Sequence, residues 1–371
     1  MNLIIFFAVL AILVLSHEFG HFIVAKLSGI RVDEFGFGFP PKLFSFKWGE
    51  TEYSFNLIPF GGFVKIFGEE NNDEFLKASE EVRNRSLSAK SKKIQAAVML
   101  AGVSFNFILA WFLISSTITI GAPVSVSELP ERLKAEETHL AIMNVLSSSP
   151  AKKAGLEAGD EIIFLSTATS TIQAESITVE NVQGFIASNS DQNIFVGYKR
   201  NGMASTTNVI PVAGIANGKP AIGVSLDMVG TLKLPFYQAI PEGLILSVKI
   251  TYSMCLGLVD FIYGFFTGQS SVSNVSGPVG MVGLVGKASE DGLVQLMNMI
   301  ALISINLAVL NLVPFPVLDG GRLFLLFAEY LRGKPLNPEV VNKMSVVCFA
   351  LLLFVMAAVT LSDVVKIIFP A

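Results

Sequence analysis

Residues 16–21 read Ser16-His17-Glu18-Phe19-Gly20-His21, an H-E-x-x-H pattern inside a long apolar run. On a helix, His17 and His21 are four residues apart, so both rings leave the same face and can grip one zinc ion. Glu18, three residues before His21, is close enough to take a proton from a zinc-bound water, which is the chemistry of hydrolysis. Two histidines and a glutamate are also the only ionisable side chains between Asn2 and Val24. Polar residues in such a run are costly, at about 2.5–3.5 kcal/mol for a charge at the centre of a span, so they mark a working site rather than packing. Two histidines leave a catalytic zinc short of one protein ligand, and the rest of the chain must provide it.

The helix that carries them has to be a membrane span. About 22 apolar residues at about 1.5 Å each reach about 33 Å, enough to cross a hydrocarbon core. The whole chain agrees: of 371 residues, 52% are hydrophobic and only 15% charged, which leaves room for several spans and one modest water-exposed domain. A net charge of −4, with no basic arm, gives no reason to expect a nucleic-acid partner. Cys255 and Cys348 are far apart in apolar segments and form no redox or metal pair. The N-terminal run lacks a basic flank and a small-residue cleavage site, so it reads as a retained span.

After Lys26 the chain is rich in alternating aromatics up to Ile66, centred on Lys47-Trp48-Gly49-Glu50, the pattern of a β-hairpin over about 34–66. Such a hairpin must line a protected cavity or lie at the membrane interface. A charged, loop-like connection over 69–93 leads into a second span, about 94–120, which carries Gly102, Ser104 and Asn106 and suggests close helix packing around one buried polar contact. Residues 122–235 become polar, with short strand-like runs at Glu161–Leu165, Ile194–Tyr198, Asn208–Val212 and Ala221–Leu226, and read as a mixed α/β domain. His139, at its start, reads as a surface residue. The remainder, 236–371, holds an apolar segment (237–266) that suits the interface as well as a crossing, and a loop at Ser276-Gly277-Pro278-Val279-Gly280. A third span follows, about 293–312, with Asn298, Asn306 and Asn311, then Leu318-Asp319-Gly320-Gly321-Arg322, and a last span over about 345–368. The expected fold is therefore a polytopic α-helical membrane protein of about four spans.

Basic residues set its orientation. Lys90, Lys92 and Lys93 end one connection, and Arg322, Arg332, Lys334 and Lys343 lie in another. The positive-inside rule places both in the cytoplasm and the 122–235 domain outside. His17 and His21 then share a depth with Asp319, the natural third ligand.

His17-Glu18-Phe19-Gly20-His21, taken with Asn311-Leu312-Val313-Pro314-Phe315-Pro316-Val317-Leu318-Asp319-Gly320-Gly321, resembles the site-2 protease family of intramembrane zinc metalloproteases, closest to its bacterial RseP and RasP branch. The resemblance covers nearly the whole chain. It implies zinc held by His17, His21 and Asp319, Glu18 as general base, and Asn306 and Asn311 as holders of substrate backbone. It likens the Gly36–Val64 region to a membrane re-entrant β-loop, and residues 276–280 to a loop before the third span. Ser149-Pro150-Ala151 with Ala154-Gly155-Leu156-Glu157-Ala158-Gly159-Asp160 resembles a PDZ signature, with Ala221-Ile222-Gly223-Val224 as its peptide-facing strand and loop. The implied partners are membrane lipid and single-span membrane proteins, such as anti-sigma factors or signal-peptide remnants. The implied location is the bacterial cytoplasmic membrane, with the active site toward the cytoplasm and the PDZ-like domain outside. The chain departs from the pattern in lacking a proline after Ala101-Gly102, and in having room for one PDZ-like unit. The alternative reading is a non-enzymatic membrane scaffold displaying a peptide-binding domain, with zinc in a structural role. Glu18 speaks against it, because a structural zinc site closes with four Cys or His ligands and has no use for a base.

Overall fold

The first helix, α1, runs over Asn2–Leu27 in a computed structural model that describes residues 2–69, 79–130, 132–173, 177–190, 192–200, 202–216, 219–268, 277–334 and 336–368. It has no proline to break it. It stops at Gly29, whose left-handed backbone (φ 67°) lets the Ile30 amide close back on the Ala25 carbonyl at 2.9 Å. The chain divides into two compact units, 1–117 with 236–371, and 118–235.

In the first unit, α1 is followed by strands β1 (Val32–Trp48) and β2 (Thr51–Ile66), turning at Gly49 (φ 64°). The expected hairpin is a more folded sheet. Phe35 lies opposite both Tyr53 and Val64, and Ser54 opposite both Gly36 and Ser45. Each strand therefore doubles back, β1 near Pro40-Pro41 and β2 near Pro59-Phe60-Gly61, because proline removes ladder donors and Gly61 (φ 108°) permits the bend. The lateral order is 62–66, 32–37, 51–56, 42–48. One outer edge, Gly62–Ile66, lies beside α1, where a β-carbon on Gly62 would stand 3.4 Å from Glu18 Cγ. The other half carries stacked aromatic rungs, Phe44 on Phe55 at 4.6 Å and Phe46 on Tyr53 at 5.3 Å. Leu43, Phe44, Phe46 and Trp48 are exposed there, so this end of the sheet suits an apolar surrounding.

Helix α2 (Lys92–Ile120) packs on α1 through small residues. A β-carbon on Gly20 would collide with the Ala101 carbonyl, so the backbones meet as closely as helices in lipid do. The later helices are α3 (Phe236–Phe266), α4 (Pro278–Glu290), α5 (Leu293–Asn311), α6 (Asp319–Arg332) and α7 (Pro338–Ile368). Among the described residues, five helices are long and apolar enough to cross a membrane: α1, α2, α3, α5 and α7. The fifth, beyond the four expected, is α3, whose three charged residues are too few to interrupt a 31-residue helix. Residues 278–280, expected as loop, open α4 instead, with Gly277 at the cap, Pro278 in the first turn, and the Gly280 amide donating to Asp363 of α7 at 2.8 Å. Ser276 and residues 70–78 of the charged connection lie outside the described residues. Two apolar cores brace α1: Val9 and Leu13 with Val285 and Ile300, and Ala25 with Ile30, Val32, Ile66, Leu87 and Val98.

In the second unit, strands β3 (Ala122–Ser125), β4 (Glu136–Val145), β5 (Glu161–Ser166), β6 (Thr171–Gln173), β7 (Ile194–Arg200), β8 (Met203–Val209) and β11 (Val224–Leu232) form one sheet, ordered β3-β11-β4-β5-β7-β8, with β6 on β5. Strands β9 (Val212–Ala216) and β10 (Lys219–Ala221) pair separately. The run expected at Asn208–Val212 is thus the junction of β8 and β9. The run at Ala221–Leu226 is broken by Gly223 (φ 81°), which presses against the Ser149 side chain. The helix Val179–Ser188, capped by Thr178, buries Val182 and Ile186 against Leu140, Ile142, Leu165 and Ile194. The Ser149–Asp160 signature has a physical basis. Ser149 caps a helical turn, Gly155 and Gly159 take left-handed backbone, and the buried Asp160 receives Arg200 Nε at 2.6 Å and Nη2 at 2.7 Å.

Candidate metal centre

His17 Nε2, His21 Nε2 and Asp319 Oδ2 converge on one point. The histidine nitrogens are 3.3 Å apart, and lie 3.1 and 3.3 Å from the carboxylate oxygen. Asp319 reaches them as the first residue of α6, after α5 ends at Asn311 and the chain turns through Pro314 and Pro316. The following glycines make that turn possible: a β-carbon on Gly320 or Gly321 would overlap the Leu312 or Phe315 carbonyl. Tetrahedral N and O ligands at about 2.0–2.1 Å from a zinc ion stand about 3.3 Å from one another, which matches the observed separations. Asp319 Oδ2 is moreover buried with no hydrogen-bond donor, as a metal ligand would be. The residues therefore fit zinc, with the fourth position left open.

Helix α2 sets both rings. The Val98 carbonyl accepts from His21 Nδ1 at 2.8 Å. One helical turn and then a second along the same face come Gly102 and Asn106. Asn106 Nδ2 lies 3.4 Å from His17 Nδ1, and with the amide turned over its oxygen would accept a hydrogen bond from the ring Nδ1–H. The Val98 contact frees His21 Nε2 as a ligand, and the turned Asn106 amide would do the same for His17 Nε2. Asn106 is held in turn, its carbonyl accepting from Ser304 Oγ of α5 at 2.8 Å.

The cluster lines a cavity of about 300 Å³ together with Glu18, Gly62, Phe63, Val64, Glu69, Asn311 and Arg322. The Glu18 carboxylate takes a hydrogen bond from the Val64 amide, so the outer strand of the sheet fixes the base candidate. Three carboxylates (Glu18, Glu69, Asp319) face one guanidinium here, and the deficit is what a divalent cation offsets. Asn311 opens on the cavity. Asn306 does not line it and is exposed, because five residues along a helix turn its side chain away from that of Asn311. His139 is bonded to the Glu137 carbonyl within the second unit and, among the described residues, belongs to no metal-ligand cluster. The roles of Val98 and Val64 are carried by backbone atoms, which leave no mark in a sequence. Glu69 had no motif to announce it, and Arg322 read only as one of several basic residues.

A histidine pair, an aspartate and a glutamate around one open point, among helices apolar enough to cross a membrane, define a metallopeptidase centre in a membrane protein. The profile of peptidase family M50 matches residues 5–355. A Clostridium perfringens protein assigned by name to the zinc metalloproteases is 34% identical over 363 residues, covering 97% of this chain and 98% of that one. The zinc metalloprotease RasP of Oceanobacillus iheyensis is 27% identical over 442 residues, covering 99% of each chain. A solved PDZ domain from Listeria monocytogenes overlaps 25% of this chain and 93% of its own at 21% identity and a TM-score of 0.21. The chain belongs to peptidase family M50 and is a zinc metalloendopeptidase of the site-2 protease type.

Proposed function

We propose that this chain hydrolyses peptide bonds within the transmembrane segments of single-span membrane proteins, using His17, His21 and Asp319 to hold zinc and Glu18 as general base. The observation that carries the reading is the meeting of those three ligand atoms beside Glu18, in a cavity walled by candidate spans. When bound, zinc supplies a Lewis acid that acidifies a water and polarises a carbonyl. Glu18 takes the proton of the attacking water and passes it to the leaving amide nitrogen, and the Val64 amide keeps its carboxylate oriented.

A helical substrate has its backbone amides bonded within itself, and each group freed by unwinding costs several kcal/mol in lipid unless it is re-paired. The Gly62–Ile66 edge lies along the cavity, on the side away from its Val32–Phe37 partner, and suits addition of an extended substrate strand. The Asn311 amide is the nearby side-chain partner for a freed carbonyl or amide. Of the two asparagines suggested by the resemblance, Asn311 lines the cavity and Asn306 does not, which favours Asn311 for the substrate role. Positive-inside reasoning supports a cytoplasmic active site and an outer second unit. In that unit the Val224–Met228 flank of β11 carries no β3 pairing, which supports a PDZ-like groove. The same unit serves to exclude substrates whose outer domains are untrimmed. Anti-sigma factors and signal-peptide remnants are the substrate classes that the family resemblance favours, in a bacterial cytoplasmic membrane.

The test is a Glu18→Gln chain that keeps bound zinc, compared with the unaltered chain by membrane proteomics. Uncut single-span proteins should accumulate only with the variant. His17→Ala, His21→Ala and Asp319→Ala should each lose both zinc and cleavage, and full zinc occupancy in Asp319→Ala would remove it from the ligand set.

A further inference from the structure

Arg322 follows Asp319 by three residues on α6, so the two side chains leave that helix on the same face, and both line the cavity with Glu18. A cation in the first turn of a helix stands against the partial positive charge of the unpaired amides there. Carboxylates offset that opposition. Glu69, just past the end of β2, is ion-paired with Arg322, and Glu18 lies within electrostatic range of the guanidinium. Among the described residues that line the cavity, Arg322 is the one permanent cation.

Amide hydrolysis creates negative charge twice. It develops on the carbonyl oxygen as the water oxygen bonds to the carbonyl carbon. It then rests on the new terminal carboxylate, once the C–N bond breaks and the nitrogen departs with the proton from Glu18. A guanidinium already held in place at the cavity by Glu69 can meet either charge without solvent having to reorganise, so a positioned cation has a large effect. We propose that Arg322 receives this charge, exchanging Glu69 for the substrate's oxygen, and that Glu69 occupies the guanidinium between turnovers. Glu69 offers the guanidinium the same chemistry as a product carboxylate, so the exchange leaves Arg322 paired before and after. The Gly62–Ile66 edge leads directly to Glu69, so a strand laid along that edge arrives beside the pair. The proposal rests on the hydrolytic reading above.

The test uses the full chain in lipid vesicles, with steady-state cleavage and bound zinc measured on the same preparations. Arg322→Gln should lower kcat about 100- to 1000-fold with KM and zinc content held, and Arg322→Lys should restore part of the loss. Glu69→Gln should act in the opposite direction, raising kcat/KM about threefold as the competing carboxylate is removed. Binding of an apolar peptide ending in a free carboxylate should weaken in Arg322→Gln and tighten in Glu69→Gln, a readout independent of turnover. A purely structural pair predicts equal losses for the two variants, and recovery when Glu69→Arg is combined with Arg322→Glu; either result overturns the proposal. Loss of zinc from folded Arg322→Gln overturns it too. Should Arg322→Gln not fold, the direction of change in Glu69→Gln, in cleavage and in peptide binding, still decides. Undiminished cleavage by Glu18→Gln would instead sink the hydrolytic assignment itself, whatever Arg322 does.

Discussion

Gly102 faces His21 across the α1–α2 contact with no room for a β-carbon, which would collide with His21 Nε2 and stand 2.6 Å from His17 Cε1. Gly102→Ala therefore forces both rings away from Asp319 without removing a ligand. It should lose most bound zinc while the chain still inserts and folds, a result read by metal analysis beside a protease-resistance assay. Full zinc occupancy would show that the rings are placed otherwise.

The Asn106 side-chain amide meets His17 Nδ1, on the far side of the ring from Asp319, at 3.4 Å. Asn106→Leu should weaken zinc binding about 10- to 100-fold, as loss of a partner behind a ligand typically does, with proportionate loss of cleavage. Titration with a competing chelator measures it. Equal affinity in the variant would make Asn106 a packing residue only.

Asn311 opens on the cavity but touches no ligand. Asn311→Leu should reduce cleavage and leave zinc in place. Glycine or proline introduced into the substrate span should partly restore the rate, because less unwinding then remains to be compensated. If helix-breaking residues change nothing for either enzyme, strand addition at the Gly62–Ile66 edge does not limit the reaction.

Deleting residues 125–230 of the second unit should permit cleavage of substrates that keep their outer domains. Trimmed substrates should be cut at the usual rate. Loss of trimmed-substrate cleavage in a folded deletion chain would favour peptide reading by the PDZ-like groove over exclusion.

Glu50 bridges Lys26 at the end of α1, at 2.7 Å, and Arg85, at 2.8 Å. Burial pushes its carboxyl up, but the two cations outweigh burial and hold it below the ordinary value of 4.5. A depressed folded pKa means the pair's contribution is present above the unfolded value and disappears as pH falls through the folded one. Glu50→Gln should lower stability at pH 7 by up to about 1 kcal/mol, this being a half-exposed network. The gap from the unaltered chain should close on acidification below the carboxylate range, as thermal unfolding in detergent would report.

The helix that carries His17 and His21 was legible in the sequence because its logic is local. An i, i+4 histidine pair needs nothing but a helix, and an apolar run of that length can reach across a membrane by arithmetic. The motif pointed to Asp319, which does meet His17 and His21, and the glycines after it are read by the turn they permit. Cross-chain placement was not legible. Whether Asn306 or Asn311 faces the cavity depends on how α5 is rotated against its neighbours, and periodicity alone leaves that angle open. The doubling back of β1 and β2 comes from Phe35 and Ser54 pairing on both sides, a long-range choice that alternating aromatics do not encode. Val98 and Val64 act through backbone atoms common to every residue. Arg322 looks like any loop cation until α6 folds onto the end of α5 and brings it to face Glu69 and Glu18. Side-chain type is written in the chain, whereas the direction a side chain faces is decided by packing between elements far apart in sequence.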